Sequence, residues 1–237
     1  MERNESKKIV VPGELLSDSP VQSLENAYVS NGKVYSLVLG IYAPHPNGIR
    51  VTPLSGVYMP KEGDLVLGVV EEIKFAGLLV DVSSSSSAFL PSSEIPSRML
   101  FRAGDLVSAR VNQVDELGSA NLSSPGKIHG GELLEVNSSK VPRIIGSKQS
   151  MLNLLRSRTG CRVLVGLNGR VWVEGANASI VSRAIYKIAK EAHLDGLTDG
   201  VSRFLESEMA RTGVKVAAVP ENPDGPGTGS SELEEVF

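Results

Sequence analysis

Cysteine occurs once among the 237 residues, at Cys161, so no intrachain disulfide can form and a cysteine-based zinc site is excluded. Histidine is nearly as scarce: His45, His129 and His193 are scattered outside any motif. Without an evident base, Cys161 is expected as a small buried side chain in the apolar run 161–165 rather than as a nucleophile. No stretch approaches the roughly 20 apolar residues that a membrane span needs. Residues 1–8 are polar and charged with no apolar centre, so a secretory signal is not expected and a cytoplasmic location is. Catalytic constellations are missing too, since no nucleophile with its base, metal cluster or phosphate loop stands at a recognisable spacing. The pairs Glu71-Glu72 and Asp115-Glu116 read more simply as solvated strand ends than as acid and base. Neither catalysis nor a cofactor is expected.

What is present is a strongly uneven charge. The net charge of −3 hides four unlike segments: residues 1–60 are neutral, 61–125 carry −4, 126–190 carry +8 and 191–237 carry −7. Eleven lysines and arginines against three acids in 126–190 exceed what a solvated face requires and imply an anionic partner, either RNA or an acidic protein surface.

The length suits two or three small domains, and the pattern divides accordingly. Residues 1–60 contain short β-type runs, 33–42 and 49–53, separated by the turn-forming Ala43-Pro-His-Pro-Asn-Gly48. They predict a small β domain with little core of its own. Residues 61–125 predict a five-stranded barrel of the OB type, clearest at 65–70, 78–82, 88–90 and 106–114. In the last of these Val107, Ala109 and Val111 alternate with Ser108, Arg110 and Asn112, the period of a half-buried strand. The five serines 83–87 read as a flexible loop at the rim.

Residues 126–211 turn to mixed α/β. A strand is expected at 132–136, a short helix with Pro142 in its first turn ending at Gly146, and a second helix over about 149–158. Strands 161–167 and 170–174 flank Asn168-Gly169, the strongest short hairpin signal. Asn177 is placed to cap a long helix whose Ile180, Val181, Ala184, Ile185, Ile188 and Ala189 form a core stripe, and a last helix covers about 198–211. The remainder, 212–237, has the composition of a disordered acidic tail.

Four pieces in order, Glu62-Gly-Asp-Leu-Val-Leu-Gly-Val-Val70, Phe75-Ala-Gly-Leu-Leu-Val-Asp-Val82, Ala88-Phe-Leu-Pro91 and Ala103-Gly-Asp-Leu-Val-Ser-Ala-Arg-Val111, resemble an S1 RNA-binding domain. Such modules stack unpaired bases on exposed aromatics, worth about 1–3 kcal/mol per base, and hold the backbone with cations. The resemblance assigns stacking to Phe75 and Phe89 and phosphate contacts to Lys74, Arg98, Arg102 and Arg110. Val141-Pro-Arg-Ile-Ile-Gly-Ser-Lys-Gln-Ser-Met151 resembles the helix, loop and helix of a type I-like KH domain, three helices on a three-stranded sheet. Its loop, Gly146, Ser147, Lys148 and Gln149, would let a nucleic-acid backbone approach, with Arg143 beside it. Gln149 stands where the second glycine of such a loop is expected, and docking on another protein is an equal use of the charge.

The order of modules is more specific than either alone. A β domain opening with Val10-Val-Pro-Gly13, then S1, a joint reading Gly126-Lys-Ile-His-Gly-Gly-Glu-Leu133, and a KH domain with Asn168-Gly-Arg-Val-Trp172 resemble the S1–KH cap proteins of the archaeal RNA exosome over about residues 9–205. The other archaeal cap type carries a cysteine-based zinc ribbon, which one cysteine cannot build. The resemblance implies a non-catalytic subunit, three copies on a hexameric ring of RNase PH-like subunits. It would bind single-stranded RNA and guide it into the central channel for 3′-to-5′ degradation. The alternative is a free-standing S1–KH RNA-binding factor acting in translation or messenger-RNA handling.

Overall fold

The computed structural model describes residues 8–19, 23–45, 48–54, 56–115, 118–192 and 196–212. The acidic segment beyond Thr212, expected as a disordered tail, lies outside the described residues. The chain divides into two compact units, Met1–Gly56 and Val57–Phe237.

The first unit is all β: β1 (Lys8–Val10), β2 (Leu15–Ser17), β3 (Ser23–Glu25), β4 (Ala27–Ser30), β5 (Lys33–Ser36), β6 (Gly40–His45) and β7 (Gly48–Pro53). They form two sheets, ordered β1-β6-β7-β3 and β2-β5-β4. The core is small, centred on Val10, Val34, Ile49 and Val51. Two expectations change here. The run 33–42 is not one strand but parts of β5 and β6, which belong to different sheets. The segment 43–48 is not a turn throughout, because β6 continues to His45, paired with Gly48 of β7. Beyond Tyr42 only β7 flanks β6, and such an edge tolerates Pro44 despite its missing N–H.

In the second unit, β8 (Leu65–Lys74), β9 (Gly77–Asp81), β10 (Ala88–Pro91), β11 (Leu106–Val114) and β12 (Ala120–Ile128) close into a five-stranded barrel in the order β10-β12-β11-β8-β9. Period-two alternation sends Val66 and Val70, Leu78 and Val80, and Val107, Ala109 and Val111 inward. Pro125 lies inside β12, where the register with β11 slips and Ser124 takes a φ of 49°, so the strand absorbs it at a bulge. Tyr58 also joins this core, its hydroxyl donating to Asp64 Oδ2 at 2.5 Å; burial and that carboxylate push the phenol pKa upward. The serine run is a loop between β9 and β10, but a pinned one. Ser84 bridges to Tyr58, Ser83 N–H donates to Asp81, and Ser87 Oγ donates to Glu71.

Strands β13 (Glu132–Glu135), β14 (Arg162–Val165) and β15 (Arg170–Glu174) form an antiparallel sheet ordered β13-β15-β14. Helices α1 (Val141–Ile145), α2 (Ser150–Thr159), α3 (Ala178–Glu191) and α4 (Leu197–Thr212) cover one face, which is the KH arrangement with a further helix. Leu134, Val163, Val165, Val171 and Val173 meet Ile144, Leu152, Leu155, Ile185, Leu205 and Met209 in the core, with Cys161 buried among them. Asn177 occupies the start of α3 without capping it; its amide donates to Thr159 O instead.

The other sheet face meets the barrel. Leu65 and Leu67 point outward from β8, yet are only 7% and 1% exposed, because β14 and β15 lie against that strand. Asn168, 4% exposed, donates from Nδ2 to Leu67 O at 2.7 Å and Val82 O at 3.0 Å, and accepts from Leu67 N–H at 3.2 Å. Leu167 N–H donates to Leu65 O at 2.8 Å. Next to it, buried Arg170 reaches Asp81 O at 2.6 Å, the Asp81 carboxylate, and Glu135 Oε1 at 3.0 Å. Partial burial would raise the Asp81 pKa, but the bonds from Arg170 and Ser83 N–H outweigh it and hold the carboxyl below its ordinary range. The expected hairpin therefore forms with a four-residue connection, 166–169. In it Gly169 alone takes positive φ, 88°, while the Asn168 amide is committed to the barrel.

Asn168→Ala should leave the Leu67 amide and two carbonyls buried without partners. We expect a loss of about 3 kcal/mol in urea unfolding and decoupling of barrel from KH unfolding in hydrogen exchange. An unchanged midpoint would show that water replaces the amide.

Candidate nucleic-acid interface

Past Val70, β8 leaves β11 and continues paired only with β9, so the exposed residues 71–76 form an arm extending beyond the barrel wall, while Gly77–Leu79 of β9 stay paired with β10. Its turn, after the last pair Lys74–Gly77, carries Phe75, which is fully exposed. Burial would favour such a ring by about 1.5–3 kcal/mol, free energy that the isolated chain leaves unused. Lys74 precedes it, with Glu72 at 3.6 Å and both side chains open to solvent, an arrangement that leaves the ammonium available.

Phe89 lies one strand away on β10. It points out of the barrel between buried Ala88 and Leu90, and its ring edge covers Gly77, where a Cβ would sit 3.0 Å from it and 2.2 Å from Leu90 O. The absent side chain of Gly77 thus lets β9, β10 and the Phe89 ring close up at the root of the arm. Arg98 and Arg102 are exposed on the connection from β10 to β11. That connection starts at the arm, where Ser92 N–H donates to Ala76 O at 2.8 Å. It is fastened at its end by Lys127, whose Nζ donates to Leu100 O and Asp105 Oδ2, each at 2.6 Å, and lies 5.5 Å from the Phe101 ring centre. The Lys127 bond holds the Asp105 carboxyl below its ordinary pKa, aided by Arg102 N–H. Lys127, counted with the basic segment in the sequence, is a barrel residue.

Arg110 does not join this group. It faces outward from β11 opposite Leu65, at the other end of β8 from Lys74, and donates to Gly63 O at 3.3 Å. Nine residue steps of strand put roughly 30 Å between it and the arm, on the side of the KH joint.

The KH loop forms a second group, with Arg143 on α1 and Gly146, Ser147 and Lys148 following it. Gly146 takes a φ of 74°, and a Cβ there would meet Met151 N at 2.7 Å. Lys148 and Gln149 are also left-handed, at 49° and 61°. Gln149 therefore adopts the conformation for which a second glycine would be suited, and the loop keeps its path at a strain cost of order 1–2 kcal/mol. Most cations of the basic segment are already answered. Arg158 meets Glu206 and Arg183 meets Glu208, both from α4, Arg162 bonds Glu174, Lys187 bonds Glu191, and Arg156 donates to Val163 O. Among the described residues, Lys140, Arg143, Lys148 and Lys190 have no such partner, and three of these four fall within nine residues around the loop. Lys140, at the start of α1 three residues before Arg143, carries no motif of its own, and helical spacing from Arg143 is the signal that brings it to this group. No group of three or more potential metal-ligating side chains occurs among the described residues, and no described helix is long and apolar enough to cross a membrane.

Comparison with known proteins matches residues 7–55 to the family described as exosome RNA binding protein RRP4 N-terminal domain, and residues 131–179 to the KH domain. The chain is 39% identical over 211 residues to exosome complex component Rrp4 of Methanothermus fervidus, covering 84% of this chain and 95% of that protein. It is 35% identical over 237 residues to the same component of Thermococcus kodakarensis, covering 91% and 92%. A crystal structure of a protein assigned as an exosome complex RNA-binding protein aligns with a TM-score of 0.60 and 31% identity, over 66% of this chain and 99% of that one.

Gly77→Ala should force β9 from β10 and displace the Phe89 ring, costing about 3 kcal/mol in chemical denaturation and raising protease cleavage within the arm. Wild-type stability for this variant would mean that the backbone yields without cost.

Proposed function

Because the chain belongs to the Rrp4 family of exosome complex components, we propose that it is a non-catalytic cap subunit that binds single-stranded RNA and guides it to nuclease subunits of another kind. Three copies would sit on a hexameric ring of RNase PH-like subunits in the cytoplasm, and RNA would enter the central channel for 3′-to-5′ degradation. The observation that carries this reading is the pairing of two displays on one compact unit. The barrel arm holds Phe75 in solvent beside Lys74, with Phe89, Arg98 and Arg102 at its root, and the KH loop offers Arg143, Gly146, Ser147 and Lys148. Arg110 lies on the barrel wall toward the KH joint and would contact phosphate on a strand running from one display to the other. Each display alone is a modest binder, since one stacked base and a few phosphates give a few kcal/mol, and threefold repetition would supply avidity.

The test is reconstitution with purified ring subunits. Co-elution in size-exclusion chromatography is expected, and a chain that never co-elutes would favour a free-standing RNA-binding factor. In the assembled complex, Phe75→Ala should weaken binding of a single-stranded RNA about fivefold or more with the salt slope unchanged, while Arg110→Ala should lower that slope by about 0.7. The two effects should add, given their separation; no loss in either variant would remove these residues from the interface. The purified chain by itself should leave RNA intact with phosphate and magnesium present, and processive shortening would refute the non-catalytic assignment.

A further inference from the structure

The cluster Lys140, Arg143 and Lys148, without an ion-pair partner among the described residues, has a segment of complementary charge in its own chain. Residues 213–237 carry five acids, Glu221, Asp224, Glu232, Glu234 and Glu235, against the single cation Lys215. This segment follows directly on α4, and α4 already answers KH cations with Glu206 and Glu208. Those pairs consume Arg158 and Arg183, so among the described residues the KH cations left without a partner are concentrated at the loop. Reach is no obstacle. Twenty-five residues span up to roughly 80 Å when extended, against about 24 Å for the whole of a 16-residue helix such as α4.

We propose that the acidic segment 213–237 docks in cis on Lys140, Arg143 and Lys148 and competes there with RNA phosphates. The docking stands by itself; the competition rests on the RNA-binding reading above. Individual exposed ion pairs are weak, but tethering raises the local concentration of the segment to the millimolar range, and three cations act together. A phosphate backbone of higher charge density displaces the segment when the strand is held elsewhere as well, so the device discriminates against short or singly anchored RNA. Salt screens the contact, since the Debye length falls from about 10 Å at 0.1 M to about 3 Å at 1 M.

Carbodiimide coupling of the full chain, mapped by mass spectrometry, tests the docking without RNA. Lys140 and Lys148 should couple to the acids of 213–237 several-fold more than Lys190, which is exposed, has no ion-pair partner among the described residues and serves as the reference. The preference should survive dilution and vanish near 1 M salt. Coupling no greater than at Lys190, or lost on dilution, would overturn docking in cis. The competition is tested with the full chain carrying Glu221→Gln, Asp224→Asn, Glu232→Gln, Glu234→Gln and Glu235→Gln. It should bind a uridine oligonucleotide roughly three- to tenfold tighter than wild type at about 50 mM salt, with the gap closing near 0.5 M. Equal affinity of the two chains overturns the competition. If neither chain binds the oligonucleotide while the coupling pattern holds, the RNA-binding reading fails and the docking remains.

Discussion

One amide side chain joins the barrel to the KH sheet. Asn168 is buried and satisfies both its carbonyl and its amino group on barrel backbone, at Leu67 and Val82. Each such bond adds only about 1 kcal/mol net, but losing the partner costs more than the bond gave, and this asymmetry fixes the register of the two modules. Arg170 works alongside it. A buried guanidinium is weak evidence of stability, yet with bonds to the Asp81 carbonyl, the Asp81 carboxylate and Glu135 it is satisfied and selects a single docking geometry. Among the described residues, no fully buried side-chain nitrogen or oxygen lacks a partner.

The orientation held by this joint decides what the surface offers. The end of the sheet around Asn168 and Arg170 is held against β8 and β9, and the face opposite is taken by helices. The exposed displays are pushed to the extremities, the arm at one end of β8 and the loop after α1. Helix α4 then sorts part of the basic segment: Arg158 of α2 and Arg183 of α3 receive its carboxylates, while Lys140, Arg143 and Lys148 have none among the described residues. The +8 of the sequence is thereby reduced to a localised group rather than a basic face.

Much of this was legible from residue order. Period-two alternation located β11 to the residue, and helical spacing with Pro142 and Gly146 bounded α1 and α2 closely. Family resemblance supplied the module order, and family comparison agrees with it at both ends. What sequence could not convey were choices made across long separations. Asn168-Gly169 signalled a turn, but local chemistry cannot say that the asparagine bonds Leu67, 101 positions away. Nor can spacing divide a β-type run between two sheets, as happened at Lys33–Ser36 and Gly40–His45. Phe75 and Arg110 looked like members of one site because both fit a barrel motif, and only strand length separates them. The reverse held at Gln149: a departure from the expected glycine left the loop's path intact, because a glutamine can pay the left-handed cost that the loop imposes.

The ten residues of β8 face three different neighbours: β11 on one side, β9 on the other and the KH sheet on the outer face. Because side-chain direction reverses at every residue, one inserted or deleted amino acid between Leu65 and Val70 would exchange the barrel-lining set for the joint-lining set and spoil both at once. Beyond Val70 only β9 is involved, and the chain there is freer to lengthen or shorten. The arm that bears Phe75 is therefore a place where the reach of the barrel can change while the packing on both faces of Leu65–Val70 is kept.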